Sequence, residues 1–154
     1  MKRLNAAYLE AVAKKVSASP FFTLISMEIN SLAPGQSLIE VVVQEKHLQP
    51  FGLVHGGVYS SLVDAAAFWA VYTEIEEDAG MTTVELKLNY LAPIFEGTMI
   101  AKGKSIKVGK TLCVGEASIE DENGKLLARG TETMMVLKGL RIQGSEELPP
   151  KFFD

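Results

Sequence analysis

The chain has 154 residues, 47% apolar and 22% charged, with 19 acidic against 15 basic residues and a net charge of −4. That balance suits one globular domain able to bury its own core, and it excludes an intrinsically disordered chain. An acidic excess also argues against a dedicated nucleic-acid binder, which carries surplus basic charge.

The single cysteine, Cys113, cannot close an intrachain disulfide, which points to a reducing, cytoplasmic setting. Residues 1–19 read as an N-terminal amphipathic helix with Leu4, Tyr8, Ala11 and Val12 on one side. Glu10, Lys14 and Lys15 interrupt any signal-peptide core there. Phe21 to Leu32 and Ser37 to Glu45 predict strands, separated by the turn Ala33-Pro34-Gly35-Gln36. A polar, glycine-bearing segment, His47 to Gly57, leads into a helix over Val58 to Asp78. Its apolar positions 58, 62, 65, 69 and 72 keep helical spacing. Phe68, Val71 and Ile75 lie on neighbouring faces, so this helix is expected to be buried nearly all round. The longest apolar run, Ala65 to Tyr72, is far short of the ~20 residues that span a bilayer, so no membrane segment is expected.

After Gly80 the period becomes two. Val84, Leu86, Leu88 and Tyr90 alternate with Glu85, Lys87 and Asn89, a half-buried strand that Pro93 ends. Thr98 to Val108 and Thr111 to Asp121 follow as strands joined around Gly109-Lys110, and Asn123-Gly124 is a hairpin signal into Lys125 to Leu137. Residues 20–138 thus form the main domain. The tail, 139–154, contains Pro149-Pro150, has no period and is expected to be loose. The order predicts an α+β fold, a curved antiparallel sheet wrapped around one long central helix.

Asp64 stands out within the apolar run Leu62-Val63-Asp64-Ala65-Ala66-Ala67-Phe68-Trp69. It is either a solvent-facing residue on an incompletely covered helix or a desolvated carboxyl, and burial raises a carboxyl's pKa and suits it to act as base or nucleophile. The junction Gly52-Leu53-Val54-His55-Gly56-Gly57 opens the same helix. Two glycines let a ligand approach the free N–H groups at the positive end of the helix dipole, although a flexible helix entry explains them equally. His55 either orients this turn or bonds a ligand.

Gly57 and Asp64 are seven residues apart, ~10 Å along a helix. One carbonyl cannot touch both in the same chain, so a common site predicts an obligate homodimer with shared active sites. His47 and His55 have no clustered third ligand, so no metal is expected. Gly109-Lys110-Thr111 mimics the end of a P-loop in the wrong strand–turn–strand context. Ser60, Ser61, His55 and Asp64 hold the letters of a catalytic triad without a nucleophile elbow. Lys102, Lys104, Lys107 and Lys110 form a local basic run, ordinarily solvated but able to meet phosphates.

From His47-Leu48-Gln49-Pro50-Phe51-Gly52-Leu53-Val54-His55-Gly56-Gly57 through Leu62-Val63-Asp64, and again at Val84 to Pro93, the chain resembles the hotdog-fold acyl-CoA thioesterases of the phenylacetate-pathway type. The resemblance covers roughly residues 20–138. It implies hydrolysis of an acyl-CoA thioester, with the Gly56 N–H as oxyanion donor and Asp64 of the partner subunit as general base or nucleophile. It implies that His55 places the thioester and that Thr83 stands where relatives carry a water-binding hydroxyl. Gln49 occupies a position that is Asn in many relatives.

The Gln-Pro-Phe-Gly form is similar to the hydroxybenzoyl- and dihydroxynaphthoyl-CoA branch, which leans the substrate towards aromatic acyl groups. That branch usually carries Glu at the acid position and a hydroxyl one turn later, where this chain has Asp64 and Phe68. Gly57, Lys107 and Lys110 are candidates for holding the CoA moiety. The CoA thioester is the substrate, and no separate cofactor is expected. A homotetramer, as a dimer of dimers, is the assembly the resemblance implies. A non-catalytic acyl-CoA sensor is the alternative; the acid at Asp64 favours the enzyme, because a sensor has no need of it. A hydratase would want a His–acid pair facing the substrate's α and β carbons, which this spacing does not offer.

Overall fold

The computed structural model describes residues 2–153; Met1 and Asp154, the ends of the expected N-terminal helix and tail, lie outside them. A short strand β1, Arg3–Leu4, precedes helix α1, Ala6–Ser17. Asn5 caps α1, its side-chain oxygen accepting from the Ala7 N–H at 3.0 Å. The buried face is Tyr8, Leu9, Val12, Ala13 and Val16. Leu4 therefore lies outside the helix and Ala11 at its flank, a rotation of the face expected from sequence.

Helix α2, Pro20–Leu24, occupies the start of the expected first strand. Proline is pre-organised for the first helical turn, and at Pro20 that preference overrides the aromatic Phe21-Phe22 pair. Strand β2, Met27–Ala33, then pairs with β3, Gln36–Val42, through a tight turn with Gly35 at φ +66°. A single 3-10 turn at Glu45–His47 leads to the central helix α3, Gly56–Tyr72.

Four long strands follow: β4, Ala79–Tyr90; β5, Thr98–Val108; β6, Leu112–Glu120; and β7, Leu126–Lys138. With β2 and β3 they make a six-stranded antiparallel sheet in the order β2-β3-β5-β6-β7-β4. The sheet wraps α3 closely enough to require glycine beneath it. A Cβ on Gly103 of β5 would sit 2.0 Å from the Ala66 carbonyl oxygen, and one on Gly115 of β6 would sit 2.9 Å from that of Ala67. The α+β architecture read from the sequence is the one observed.

Two local features differ from the sequence pattern. In β4 the register with β7 slips between Thr83 and Glu85, so Val84 is a bulge residue and half exposed. The extra residue lets Thr83, Leu86 and Leu88 all face α3, which uninterrupted alternation forbids. Helix α3 is not buried all round either. Ser60, Ser61, Asp64 and Phe68 form a half-buried stripe along it.

The tail is ordered rather than loose. Strand β8, Phe152–Phe153, pairs with β1. Lys151 is fully buried, its Nζ donating to the carbonyls of Tyr72 and Ile75 at 2.7 Å each and lying 4.4 Å from the centre of the Tyr72 ring. These are carbonyls left over at and just beyond the end of α3, where the helix dipole favours a cation.

Candidate active site

The start of α3 is built by the loop before it. Val54 N–H donates to Ile94 and His55 N–H to His47, both at 2.8 Å, so the chain enters the helix along a fixed path. His55 is the N-cap: its Nδ1 accepts from the Gly57 N–H at 2.8 Å. The ring proton therefore resides on Nε2, on an exposed side chain. Capping uses the Gly57 amide, which is thereby withdrawn from ligand binding. The Gly56 amide has no acceptor among the described residues.

Tyr90 covers Gly56 on one side, its hydroxyl donating to the Gly56 carbonyl at 3.2 Å and its ring leaving only 3.3 Å for a Cβ. Gln49 turns inward on its own loop, where its side-chain oxygen accepts from the Phe51 N–H. A cavity of about 330 Å³ at this helix start is lined by Gln49, Gly56, Tyr59, Tyr90 and Pro93, among others.

Asp64 lies two turns further along α3, half-buried, and opens on a different cavity of about 450 Å³. Phe21, Phe22, Met27, Phe68, Trp69 and Met81 give that cavity its apolar lining, and Thr83 stands beside the acid. The two cavities share no residue. Within one chain, the Gly56 amide and the Asp64 carboxylate therefore serve separate openings.

Thr83 donates from Oγ1 to Asp64 Oδ1 at 2.9 Å, and the same oxygen lies 2.5 Å from Glu132 Oε1. Glu132, on β7, is fully buried. Burial, reinforced by the nearby Asp64 charge, pushes its carboxyl up to about 9. The strongly desolvated acid is thus Glu132, beneath the half-buried Asp64. Glu132 does not stand out in the sequence, although a signal exists: Ala128, Gly130, Glu132 and Met134 are the inward positions of β7.

The other polar candidates do not converge here. Lys107 is an exposed residue of β5, and Lys110 opens on a cavity at the opposite end of α3, where Glu74, Glu76 and Asp78 outnumber Lys110 and Lys138. Neither lysine lines either of the two cavities above. Lys102 is paired with Glu120 at 2.9 Å, which divides the apparent basic run. His47 is buried and structural, its Nδ1 accepting from Gln44 N–H at 2.9 Å and its Nε2 bonded to the Ile25 carbonyl at 2.6 Å. No helix among the described residues is long and apolar enough to cross a membrane.

Residues 51–128 match the family model described as Thioesterase superfamily. The chain is 37% identical over 114 residues to a 1,4-dihydroxy-2-naphthoyl-CoA hydrolase of Listeria monocytogenes, spanning 74% of this chain and 93% of that protein. It is 31% identical over 105 residues to human acyl-coenzyme A thioesterase 13, spanning 67% and 74% of the two. Among solved structures, a thioesterase family protein from Silicibacter pomeroyi superposes with a TM-score of 0.78 at 29% identity, covering 86% of this chain and 99% of that one. A Haemophilus influenzae thioesterase shares the fold with a TM-score of 0.79 at 24% identity, covering 86% and 92%.

The chain belongs to the thioesterase superfamily, with the hotdog fold that its sequence resemblance implies. It is a thioester hydrolase.

Proposed function

We propose that the protein hydrolyses small acyl-CoA thioesters, with a preference for aromatic acyl groups, at sites shared between two copies of the chain. The observation that carries this reading is the pairing of an unengaged Gly56 amide with a carboxylate two turns away on the same helix, each opening on its own cavity. Two antiparallel central helices side by side would bring the Gly56 end of one copy to the Asp64 region of the other. Phe51, Tyr90 and Leu91, exposed around the helix start, support cover by a second copy, since large apolar side chains clustered in the open mark association surfaces. The tetramer implied by the resemblance would join two such dimers.

In this reading the Gly56 N–H, at the positive end of α3, stabilises the oxyanion that forms from the thioester carbonyl. Asp64 takes the proton from an attacking water. Thr83, after donating to Asp64, keeps a lone pair that helps hold that water. Collapse of the tetrahedral intermediate expels the CoA thiolate, which recovers the proton from Asp64. His55 works from one step back, as the cap that presents Gly56. Phe21, Phe22, Phe68 and Trp69 beside Asp64 support an aromatic acyl group, as does the likeness to a naphthoyl-CoA hydrolase.

The test is thiol release over a panel of aliphatic and aromatic acyl-CoAs, with Asp64→Asn as control. The reading expects aromatic substrates to give the highest kcat/KM, and Asp64→Asn to lose roughly 100-fold or more in kcat. Unchanged turnover in Asp64→Asn would reject the mechanism, and binding without turnover of every substrate would favour a sensor. Single turnover in 18O water probes the role of Asp64, since label in its carboxylate marks a nucleophile whose acyl anhydride is opened at the aspartyl carbon.

A further inference from the structure

The contacts at Thr83 contain a proton-counting problem. Its hydroxyl oxygen lies 2.9 Å from Asp64 Oδ1 and 2.5 Å from Glu132 Oε1. A hydroxyl has one proton and donates once. If both acids were ionised, one of the two contacts would set lone pair against lone pair at hydrogen-bonding distance. The contacts are both satisfied only if one acid carries a proton and donates it to Thr83.

Position decides which acid that is. Asp64 is half-buried on the open stripe of α3, whereas Glu132 is fully enclosed. Among the described residues, no cation acts on Glu132. Asp64 is the titratable group facing it from α3; β4 presents Thr83, with Leu86 as its register partner; β6 places Gly115 opposite; its inward neighbours on β7 are Gly130 and Met134. Its second oxygen, Oε2, is buried with no partner among the described residues, a costly position for an ionised carboxylate.

We propose that Glu132 is a positioning residue that stays protonated at neutral pH, the origin of a directed chain in which Glu132 O–H donates to Thr83 and Thr83 O–H donates to Asp64. Two things follow, resting on the reading that Asp64 is the working carboxylate. The Thr83 proton is committed towards Asp64, which fixes that carboxylate's orientation and keeps one Thr83 lone pair available for water. Deprotonation of Glu132 at alkaline pH would strip the chain of its donor and place two negative carboxylates around one hydroxyl, disordering the site. The raised pKa of the buried carboxyl, about 9, places that failure on the basic side of neutrality.

Glu132→Gln supplies the decisive variant, since its side-chain N–H donates to Thr83 as the acid does and cannot ionise. The pH profile of kcat/KM should lose its alkaline fall while activity at neutral pH stays within a few-fold of wild type. Glu132→Leu and Thr83→Val, which cut the chain at two places, should each lower kcat by roughly 10- to 100-fold. Thr83→Val lies at an exposed position and keeps the test open should Glu132→Leu fail to fold. An alkaline limb retained in Glu132→Gln overturns the proposal, as does a loss in that variant as deep as in Thr83→Val.

The infrared spectrum gives a readout that needs no turnover. Wild type at neutral pH should show the carbonyl stretch of a protonated, buried carboxylic acid, and Glu132→Gln should lack it. Absence of that band in wild type rejects the protonated acid whatever the substrate. Its presence in a protein that Asp64→Asn leaves fully active would reject the hydrolytic role of Asp64 instead.

Discussion

Replacing Gly56 with proline removes the N–H from the proposed oxyanion site and puts the ring's Cδ methylene where that hydrogen pointed. Gly56 is the first residue of α3, where proline is favoured because the missing N–H has no intrahelical partner. The residue before it must be extended, and His55 already is, at φ −60° and ψ 137°. The cap from His55 to the Gly57 amide is untouched. The steric cost falls on Tyr90, whose ring leaves 3.3 Å for a Cβ but is half exposed and free to shift a few tenths of an ångström.

Gly56→Ala introduces the same Cβ and retains the amide, so it controls for crowding against Tyr90. Loss of one oxyanion donor costs roughly 100- to 1,000-fold in kcat, about 3–4 kcal/mol of transition-state stabilisation. The alanine variant is expected within a few-fold of wild type. The assay is thiol release at saturating acyl-CoA, with thermal melts confirming that both variants fold. A folded Gly56→Pro enzyme within tenfold of Gly56→Ala would refute the oxyanion role of this amide.

Three further outcomes follow from the packing. Lys151→Met leaves the Tyr72 and Ile75 carbonyls without their buried donor and should cost about 3 kcal/mol, with the β1–β8 pair losing hydrogen-exchange protection. Gly103→Ala forces a Cβ into the Ala66 carbonyl and should destabilise the fold by roughly 3 kcal/mol or more, read as a lower Tm or loss of soluble protein. Glu132, raised from 4.5 to about 9, binds its proton in the folded state where the unfolded chain has released it. Its contribution is complete below 4.5 and is lost as pH climbs through 9. Denaturant titrations from pH 5 to 8 should therefore show wild type losing roughly 4 kcal/mol relative to Glu132→Gln. A constant difference would mean that Glu132 ionises normally.

How far the sequence reveals the fold depends on the residue. The central helix and strands such as Thr98–Val108 are legible because their periodicity is local. Asp64 is legible because a carboxyl in an apolar run is anomalous wherever the chain goes. Val84 misleads because a bulge changes the inward set by one residue, which alternation alone cannot reveal. Lys151 looks like any tail lysine, since the carbonyls that hold it come from the end of α3, 79 and 76 positions away in sequence. Glu132 sits between these extremes: its inward position is legible once Gly130 is counted as an inward residue, but its coupling to Asp64 is visible only when Thr83 is in place. Lys107 and Lys110 stand together as a charge pattern in sequence, whereas in the fold Lys110 opens on a cavity that it shares with Glu74, Glu76 and Asp78.

In the proposed dimer one copy supplies the amide and the other the carboxylate. Mixing Asp64→Asn with Gly56→Pro tests it directly, since each homodimer lacks one component at every site. Random reassociation at equal ratio makes about half the dimers mixed, each with one intact site of two, so about a quarter of wild-type activity should return. Differently tagged chains that co-purify would verify the exchange. Co-purifying mixtures no more active than the parent variants would contradict the account, placing amide and carboxylate at one site within a single chain or at no common site at all.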